Sequence, residues 1–121
     1  MKAINLSDKF QKFDAQWHPH QVAVVDGMQV LLARLQGEFV WHVHEEEDEL
    51  FQVIKGTLYI KFRDRTEEVR EGELIVVPKG VEHCPMTKNN EEVQVLLFEK
   101  LGIAHTGQTK SDRTVSDYPK I

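Results

Sequence analysis

Residues 50–63 read LFQVIKGTLYIKFR and hold the clearest secondary-structure pattern in the chain. Residues 57–63 alternate between apolar and polar side chains, and residues 50–54 place Phe51 and Val53 on one face; both follow the two-residue period of a β-strand. Lys55-Gly56 lies between the two runs, where a tight turn fits. The segment therefore predicts two consecutive strands with one buried face.

The same short period extends to both sides of this segment. Further strands are predicted at residues 22–25, 28–35, 38–43, 73–77 and 93–98. Asp26-Gly27 separates the first two and favours the type I′ turn of a hairpin. A helical period is confined to residues 7–13, where Ser7 could cap one or two turns. Strands at a spacing of roughly 8–12 residues are typical of a sandwich or barrel, so we predict an all-β fold.

The length and charge of the chain limit its size class and its partners. With 121 residues, one domain is expected. Lys and Arg number 15 against 20 Asp and Glu, a net charge of -5 that argues against nucleic acid or an anionic membrane as the main partner. No apolar run approaches the ~20 residues of a membrane helix, and no signal peptide is evident. The single cysteine, Cys84, excludes an intramolecular disulfide and favours a reducing compartment, so we expect a cytoplasmic protein.

The two ends of the chain differ from its middle. Residues 1–21 carry Phe10 and Phe13 without a strand pattern, and we expect this segment to pack on the barrel or on a dimer partner. Residues 22–103 form the predicted barrel. Residues 104–121 are polar and aperiodic, which is typical of a surface tail.

Three histidines and one glutamate form the pattern that carries chemistry. His42 and His44 are two residues apart in a predicted strand and so share a face. Glu49 begins the next strand, and pairing of the two strands as a hairpin would bring it near the histidines. His83 follows a turn containing Pro78 and Gly80. Three imidazoles and a carboxylate leave open positions on a six-coordinate ion, and the set suits Fe, Mn, Ni, Co, Cu or Zn without selecting among them.

The spacing of these residues resembles that of the cupin family. His42-x-His44-x4-Glu49-x6-Gly56 and Gly72-x5-Pro78-x-Gly80-x2-His83 are similar to the two cupin motifs, G-x5-H-x-H-x3–4-E-x6-G and G-x5-P-x-G-x2-H-x3-N. Two positions depart from the pattern. Gly37 lies one residue closer to the first histidine than expected, and Thr87 replaces the final Asn.

The resemblance is strongest to small single-domain cupins, including those labelled mannose-6-phosphate isomerase-like. It implies a jelly-roll β-barrel, or double-stranded β-helix, with a metal inside one end. It also implies that one divalent transition-metal ion per chain (Fe, Ni, Mn or Zn) is bound by His42, His44, Glu49 and His83. Small cupins of this kind commonly form homodimers, which we expect here.

Other residues receive less specific predictions. His18 and His20 flank Pro19 and are interpreted as surface or interface histidines, and contact of His105 with the pocket is left open. Cys84 is predicted to be a small buried residue. Trp41 and Val43 are expected to face away from the histidines. The residues predicted to line the barrel are apolar and favour a small, largely apolar or planar ligand: Val40, Phe51, Val53, Ile60 and Val76.

Two classes of function follow from this site. The first is a metal-dependent enzyme, of the dioxygenase, isomerase or lyase type, acting on a small organic molecule. The alternative is a non-enzymatic module that binds a small molecule or a metal. An acid–base pair beyond the four ligands would separate the two classes, and the sequence pattern identifies none, so the catalytic residues are left unassigned. Lys79 and Arg34 alone are a weak basis for phosphosugar chemistry.

Overall fold

The computed structural model describes residues 1–102 and 118–121. These residues contain one short helix and eight strands, and the all-β prediction is confirmed. The elements are α1 (Leu6–Phe10), β1 (His20–Val25), β2 (Met28–Gln36), β3 (Glu49–Lys55), β4 (Leu58–Lys61), β5 (Thr66–Val69), β6 (Leu74–Val77), β7 (Cys84–Met86) and β8 (Glu92–Lys100).

The strands form two antiparallel sheets with a common core. The larger sheet has the order β1-β2-β8-β3-β6, and the smaller one has the order β5-β4-β7. Non-consecutive strands are neighbours in both sheets, as in the predicted jelly roll. Val95 and Leu97 of β8 and Leu58 and Ile60 of β4 belong to one buried cluster that joins the two sheets.

The register of the larger sheet decides which side chains enter the barrel. β2 pairs with β8 without interruption from Met28 opposite Lys100 to Gln36 opposite Glu92. Along β8 every second residue is buried, from Val93 to Glu99. Because side chains alternate across a strand, these buried positions form one inward row that faces the smaller sheet.

The structure corrects the prediction of a strand at residues 38–43. This segment forms only isolated bridges, among them one between Glu38 and Met86 and one between His42 and His83. Phe39 donates its backbone N–H to the Pro85 carbonyl at 3.0 Å, but Pro85 has no N–H to return the bond. The pairing register also shifts by one residue between the two bridges, so a regular ladder cannot form.

Two other predictions differ in detail. The helix begins at Leu6, and its cap is Asn5, whose side chain accepts a hydrogen bond from the Asp8 N–H, rather than Ser7. Val76 does not line the barrel, because its side chain is 47% exposed. In β6 the inward position belongs to Val77, which pairs with Glu49, and the alternation of the strand turns Val76 outward.

The N-terminal segment lies against the larger sheet. Phe10 is buried, and the Arg34 guanidinium donates hydrogen bonds to the Phe10 carbonyl at 2.7 Å and to the Phe13 carbonyl at 2.9 Å. Arg34 also forms an ion pair with Glu92. Through these contacts Arg34 anchors the N-terminal segment. This role explains why an arginine lies here without a phosphate ligand.

The last described residues also join the fold. Tyr118 is buried in the core, so this part of the predicted polar tail, residues 104–121, does not lie on the surface. Lys120 forms a parallel bridge with Gln21, and the Gln21 N–H donates to the Pro119 carbonyl at 2.7 Å. Across residues 1–102 and 118–121, no helix has the length and apolar character needed to cross a membrane.

Candidate metal centre

His42, His44, Glu49 and His83 lie together inside the barrel. One ligand atom from each residue lies within 4.8 Å of the others, and all four side chains are buried. His42 and His44 come from the loop after β2, Glu49 begins β3, and His83 precedes β7. The four positions selected by spacing are therefore adjacent in space.

Backbone hydrogen bonds fix the positions of the histidines. His42 and His83 face each other across an antiparallel bridge, with N–H to carbonyl distances of 3.0 Å and 2.9 Å. The Gly80 N–H donates to the His44 carbonyl at 2.8 Å. Gly80 has a φ of 80°, a conformation that glycine adopts without strain and that turns the chain between β6 and His83.

Glu49 reaches the site by a different route from the one predicted. β3 does not form a hairpin with the segment of His42 and His44; it pairs with β6 and β8. Glu49 is therefore presented by the larger sheet, and the histidines by the loops that face it. Its Oε1 lies 3.4 Å from His44 Nε2 and 3.8 Å from His83 Nε2.

The hydrogen bonds of two imidazoles fix their tautomers. His42 Nδ1 lies 2.9 Å from the Val40 carbonyl, and His83 Nδ1 lies 2.9 Å from the Val81 carbonyl. A carbonyl only accepts, so each Nδ1 carries the proton and each Nε2 keeps its lone pair. Both Nε2 atoms are buried without a hydrogen-bond partner in the described part of the chain, as is Glu49 Oε1. Buried acceptors of this kind need a cation or a donor, and the set fits a divalent metal ion.

The surroundings of the four groups set their charge states. Burial, reinforced by the nearby His83, lowers the pKa of His42 to about 4. Burial alone would raise the pKa of Glu49, but His44 and His83 outweigh it and hold that pKa at about 2. Burial would lower the pKa of His44, but the carboxylates of Glu49 and Glu47 outweigh it and raise the value. The site thus combines a carboxylate with a neutral His42, as metal ligation requires.

A small cavity adjoins the cluster. Its volume, counted as the space open to the centre of a water molecule, is about 20 Å³, so it has room for roughly one water. His42 and Glu49 form its polar wall. The rest of the lining is apolar and consists of Trp17, Pro19, Ala33, Leu35, Phe39, Phe51, Pro85 and Leu97.

The other predicted residues lie away from the cluster. His20 stacks on Phe13 with ring centroids 4.0 Å apart, and neither it nor His18 belongs to the four-residue group. Trp41 faces outward as predicted, with the Arg63 guanidinium 3.7 Å above its ring. Cys84 is buried as predicted. His105 lies outside the described residues.

One buried acid near the site was not identified from the sequence. Glu99 is 0% exposed and lies in the inward row of β8. Burial, with the charges of Glu49 and Glu47, raises its pKa well above the ordinary value. The predicted strand ended at residue 98, one position short. Continuing the alternation of Val93, Val95 and Leu97 by one step would have placed this carboxyl inside the barrel.

Known proteins resemble this chain in sequence and structure. The family model of the cupin domain (Cupin_2) matches residues 29–99. The crystal structure of a cupin-2 domain-containing protein from Shewanella frigidimarina is 45% identical, with a TM-score of 0.79 over 81% of this chain and 94% of that one. Protein NMB1881 from Neisseria meningitidis is 31% identical, with a TM-score of 0.73 over 82% of this chain and 99% of that one.

A curated relative matches a shorter stretch. The uncharacterized protein YdbB of Bacillus subtilis is 42% identical over 55 residues, which cover 45% of this chain and 49% of YdbB. The match thus spans about half the length of this relative. The family model, which covers more than half of the chain, and the agreement in fold together establish that this chain belongs to the cupin family.

Proposed function

We propose that the chain binds one divalent transition-metal ion (Fe, Ni, Mn or Zn) through His42, His44, Glu49 and His83. We further propose that it is a metal-dependent enzyme acting on a small organic molecule. The observation that carries the proposal is the convergence, within 4.8 Å, of buried ligand atoms that have no hydrogen-bond partner among the described residues. Two of these atoms are imidazole nitrogens with fixed lone pairs. Without a cation, this arrangement leaves several buried acceptors unsatisfied, which costs free energy.

The reaction type is proposed to be that of a dioxygenase, an isomerase or a lyase. A bound ion of this kind supplies either Lewis-acid polarisation of a substrate oxygen or activation of O2. The protein's own residues orient and shield the site. The Val40 and Val81 carbonyls hold His42 and His83 in place, and the apolar cavity wall keeps bulk water away from Glu49.

The lining of the cavity supports a small, largely apolar or planar ligand. Phe39 and Phe51 face the same space as His42 and Glu49, so an aromatic surface and the polar wall would meet one ligand together. The small size of the cavity favours a second candidate, a non-enzymatic module that binds a metal or a small molecule. Space for roughly one water admits a substrate only if the lining moves.

A homodimer is part of the proposal. The outer face of the larger sheet is apolar near its β6 edge, where Leu74 is 56% exposed and Val76 is 47% exposed. Leu50 pairs with Val76 in the same sheet, so the apolar outer face continues from the β6 edge toward the middle of the sheet. Exposed apolar side chains grouped in this way are typical of an interface. Light scattering should give twice the chain mass of 14.0 kDa, and Val76→Glu should halve it; a parent mass of one chain would contradict the dimer.

The cellular setting is proposed on sequence grounds. The single cysteine favours a reducing compartment such as the cytoplasm, and the net charge of -5 favours a small molecule over nucleic acid or an anionic membrane as partner.

Elemental analysis of protein purified without chelator tests the metal site. We expect about one ion per chain in the parent and loss of that ion in His42→Ala and His83→Ala, because each variant removes one inward-facing Nε2. His18→Ala is the matched control and should retain the ion, because His18 lies outside the four-residue group. A parent without metal after reconstitution would refute the site.

Turnover separates the two functional classes. Activity is therefore measured with each metal loaded in turn: oxygen consumption is screened in the iron- and nickel-loaded protein, and isomerase and lyase substrates are screened in the zinc- and manganese-loaded protein. Activity that survives complete removal of the metal would contradict the enzyme proposal. A metal-loaded protein that binds small aromatic acids without converting them would support the binding module.

A further inference from the structure

The position of Glu99 follows from two strand registers. Glu99 pairs with Gln29 of β2 on one side. On the other side, Leu50 of β3 pairs with Phe98, so the antiparallel register places Glu49 opposite Glu99. Facing side chains in such a pair have Cβ atoms about 4.5–5.5 Å apart. Glu99 is therefore the inward neighbour of Glu49 in the same layer of the barrel.

The Glu99 carboxyl is buried without a partner. Its side chain is 0% exposed, and neither oxygen has a hydrogen bond to any described residue. The neighbouring Gln29 amide is already engaged, since it accepts from Gln21 at 3.1 Å and donates to the Lys100 carbonyl at 3.4 Å. A buried carboxyl with no partner is costly, so the presence of Glu99 needs an explanation beyond the contacts of the described residues.

A purely structural role does not account for this residue. The other inward positions of β8 are Val93, Val95 and Leu97, all of which pack in the core. An apolar side chain at position 99 would continue that row and would leave no polar atom unsatisfied. Buried carboxyl groups that lie beside other ionisable residues and lack a partner are typical of binding and catalytic sites.

We propose that Glu99 is a ligand-binding residue of this site: when the lining moves to admit a small molecule or water beside Glu49, the Glu99 carboxyl hydrogen-bonds it. The movement is needed because Glu99 does not line the small cavity that His42 and Glu49 face. The inference rests on the proposed metal site, because the ion provides the second point of attachment for that molecule. Glu99 thereby adds a polar group that is separate from the four metal-binding residues. It favours small molecules that carry a hydrogen-bonding atom next to the atom that binds the metal.

Cobalt-loaded protein tests this assignment, with acetohydroxamate as the probe. Acetohydroxamate chelates the ion and carries both a hydrogen-bond donor and acceptors, and its binding changes the visible spectrum of Co²⁺. Four proteins are compared: the parent, Glu99→Leu, Glu99→Gln and Glu46→Gln. The last removes an exposed acidic side chain from the loop between His44 and Glu49 and so controls for charge alone.

We expect all four proteins to bind one cobalt ion per chain. Glu99→Leu should weaken acetohydroxamate binding about tenfold, because a buried hydrogen bond is lost. Glu99→Gln should stay within about threefold of the parent, because the amide both donates and accepts. Glu46→Gln should match the parent.

Three results would overturn the inference. Equal acetohydroxamate affinity in the parent and Glu99→Leu would show that Glu99 does not touch the bound molecule. Loss of cobalt from Glu99→Gln would show that Glu99 acts on the ion itself. Failure of the parent to bind cobalt would refute the metal site and this inference with it, whereas the first two results leave the metal site intact.

Discussion

Trp17 stacks on Phe39, with ring centroids 4.6 Å apart and planes inclined by 11°. Phe39 in turn meets the His42 ring edge-on at 5.5 Å, so an aromatic chain connects the N-terminal segment to the candidate metal site. Trp17 also donates its indole N–H to the Gln36 carbonyl at 2.9 Å and has a φ of 55°, which is rare for a bulky residue. The segment before β1 therefore forms one wall of the cavity.

Trp17→Ala should lower the free energy of unfolding of the metal-free protein by about 3–5 kcal/mol, the usual cost of removing a large buried aromatic side chain. Trp41→Ala is the control, because Trp41 is only half-buried and lies beneath Arg63 on the outer face, and it should lose less. Urea denaturation measures both. Equal losses in the two variants would show that the wall formed by Trp17 adds no stability beyond that of a surface tryptophan.

Glu47→Gln should let the protein retain its metal to lower pH. Glu47 Oε1 lies 3.5 Å from His44 Nδ1 and is one of the carboxylates that raise the pKa of His44. A proton on His44 competes with the metal, so a raised pKa of His44 makes this competition begin at a higher pH. Removing the Glu47 charge lowers the pKa of His44 and therefore shifts the release of the metal to lower pH.

Cobalt absorbance followed through an acid titration would measure this shift. Glu46→Gln serves as the comparison, because its side chain is exposed. A release midpoint that is the same in Glu47→Gln and in the parent would contradict the role assigned to Glu47.

Glu99→Leu should stabilise the metal-free protein, and the gain should grow with pH. Burial first, then the facing charges of Glu49 and Glu47, raise the pKa of Glu99 in the folded state. The folded protein therefore holds this proton above the unfolded value of 4.5, and the stability it contributes is lost as the pH rises through the folded pKa. Leucine cannot ionise, so the Glu99→Leu variant does not lose this part of its stability as the pH rises.

Unfolding in urea at about pH 5, 7 and 9 would give the free energy of unfolding as a function of pH. The difference between Glu99→Leu and the parent should be smallest at the lowest of these values. Glu46→Gln should follow the parent throughout. A difference independent of pH would mean that Glu99 has the same protonation state in the folded and in the unfolded protein over this interval.

Gly56→Ala should destabilise the fold more than Gly72→Ala. Both glycines have positive φ, 90° and 81°, so both variants carry the strain of an L side chain in that region. At Gly56 an added Cβ would also lie 2.8 Å from Glu91 Oε1 and 3.1 Å from Val93 Cγ2, whereas at Gly72 it would meet no atom of the described residues within 4 Å. Thermal unfolding of the two variants gives the comparison, and the reverse order would contradict it.

The sequence predicted the parts of the molecule that depend on local patterns. Alternation of side chains predicted most strands, and the spacing of His42, His44, Glu49 and His83 selected four residues that the structure brings together. The strand pairing that brings Glu49 to the histidines was predicted wrongly. Which strands pair is decided by non-local packing, and β3 pairs with β6 and β8, which are remote in sequence.

Other differences have the same origin. Val76 was placed inside because apolar residues run without alternation from Leu74 to Val77, and only the pairing of Val77 with Glu49 shows which of them face inward. Tyr118 was assigned to a polar tail because its neighbours are polar, and its burial depends on a bridge to Gln21 that no local pattern contains. Glu99 lay one residue beyond the apolar run that defined its strand.

The bridge between His42 and His83 has a consequence for how the protein acquires its ion. Because the backbone itself holds these two ligands face to face, the spacing of the site is set before any metal arrives. Imidazole and carboxylate donors accept several divalent transition metals, so the metals that are available take part in deciding which ion such a site holds. The metal in a purified preparation should therefore follow the supply of metals in the growth medium, and preparations from iron-rich and zinc-rich cultures of the same protein should differ in their content.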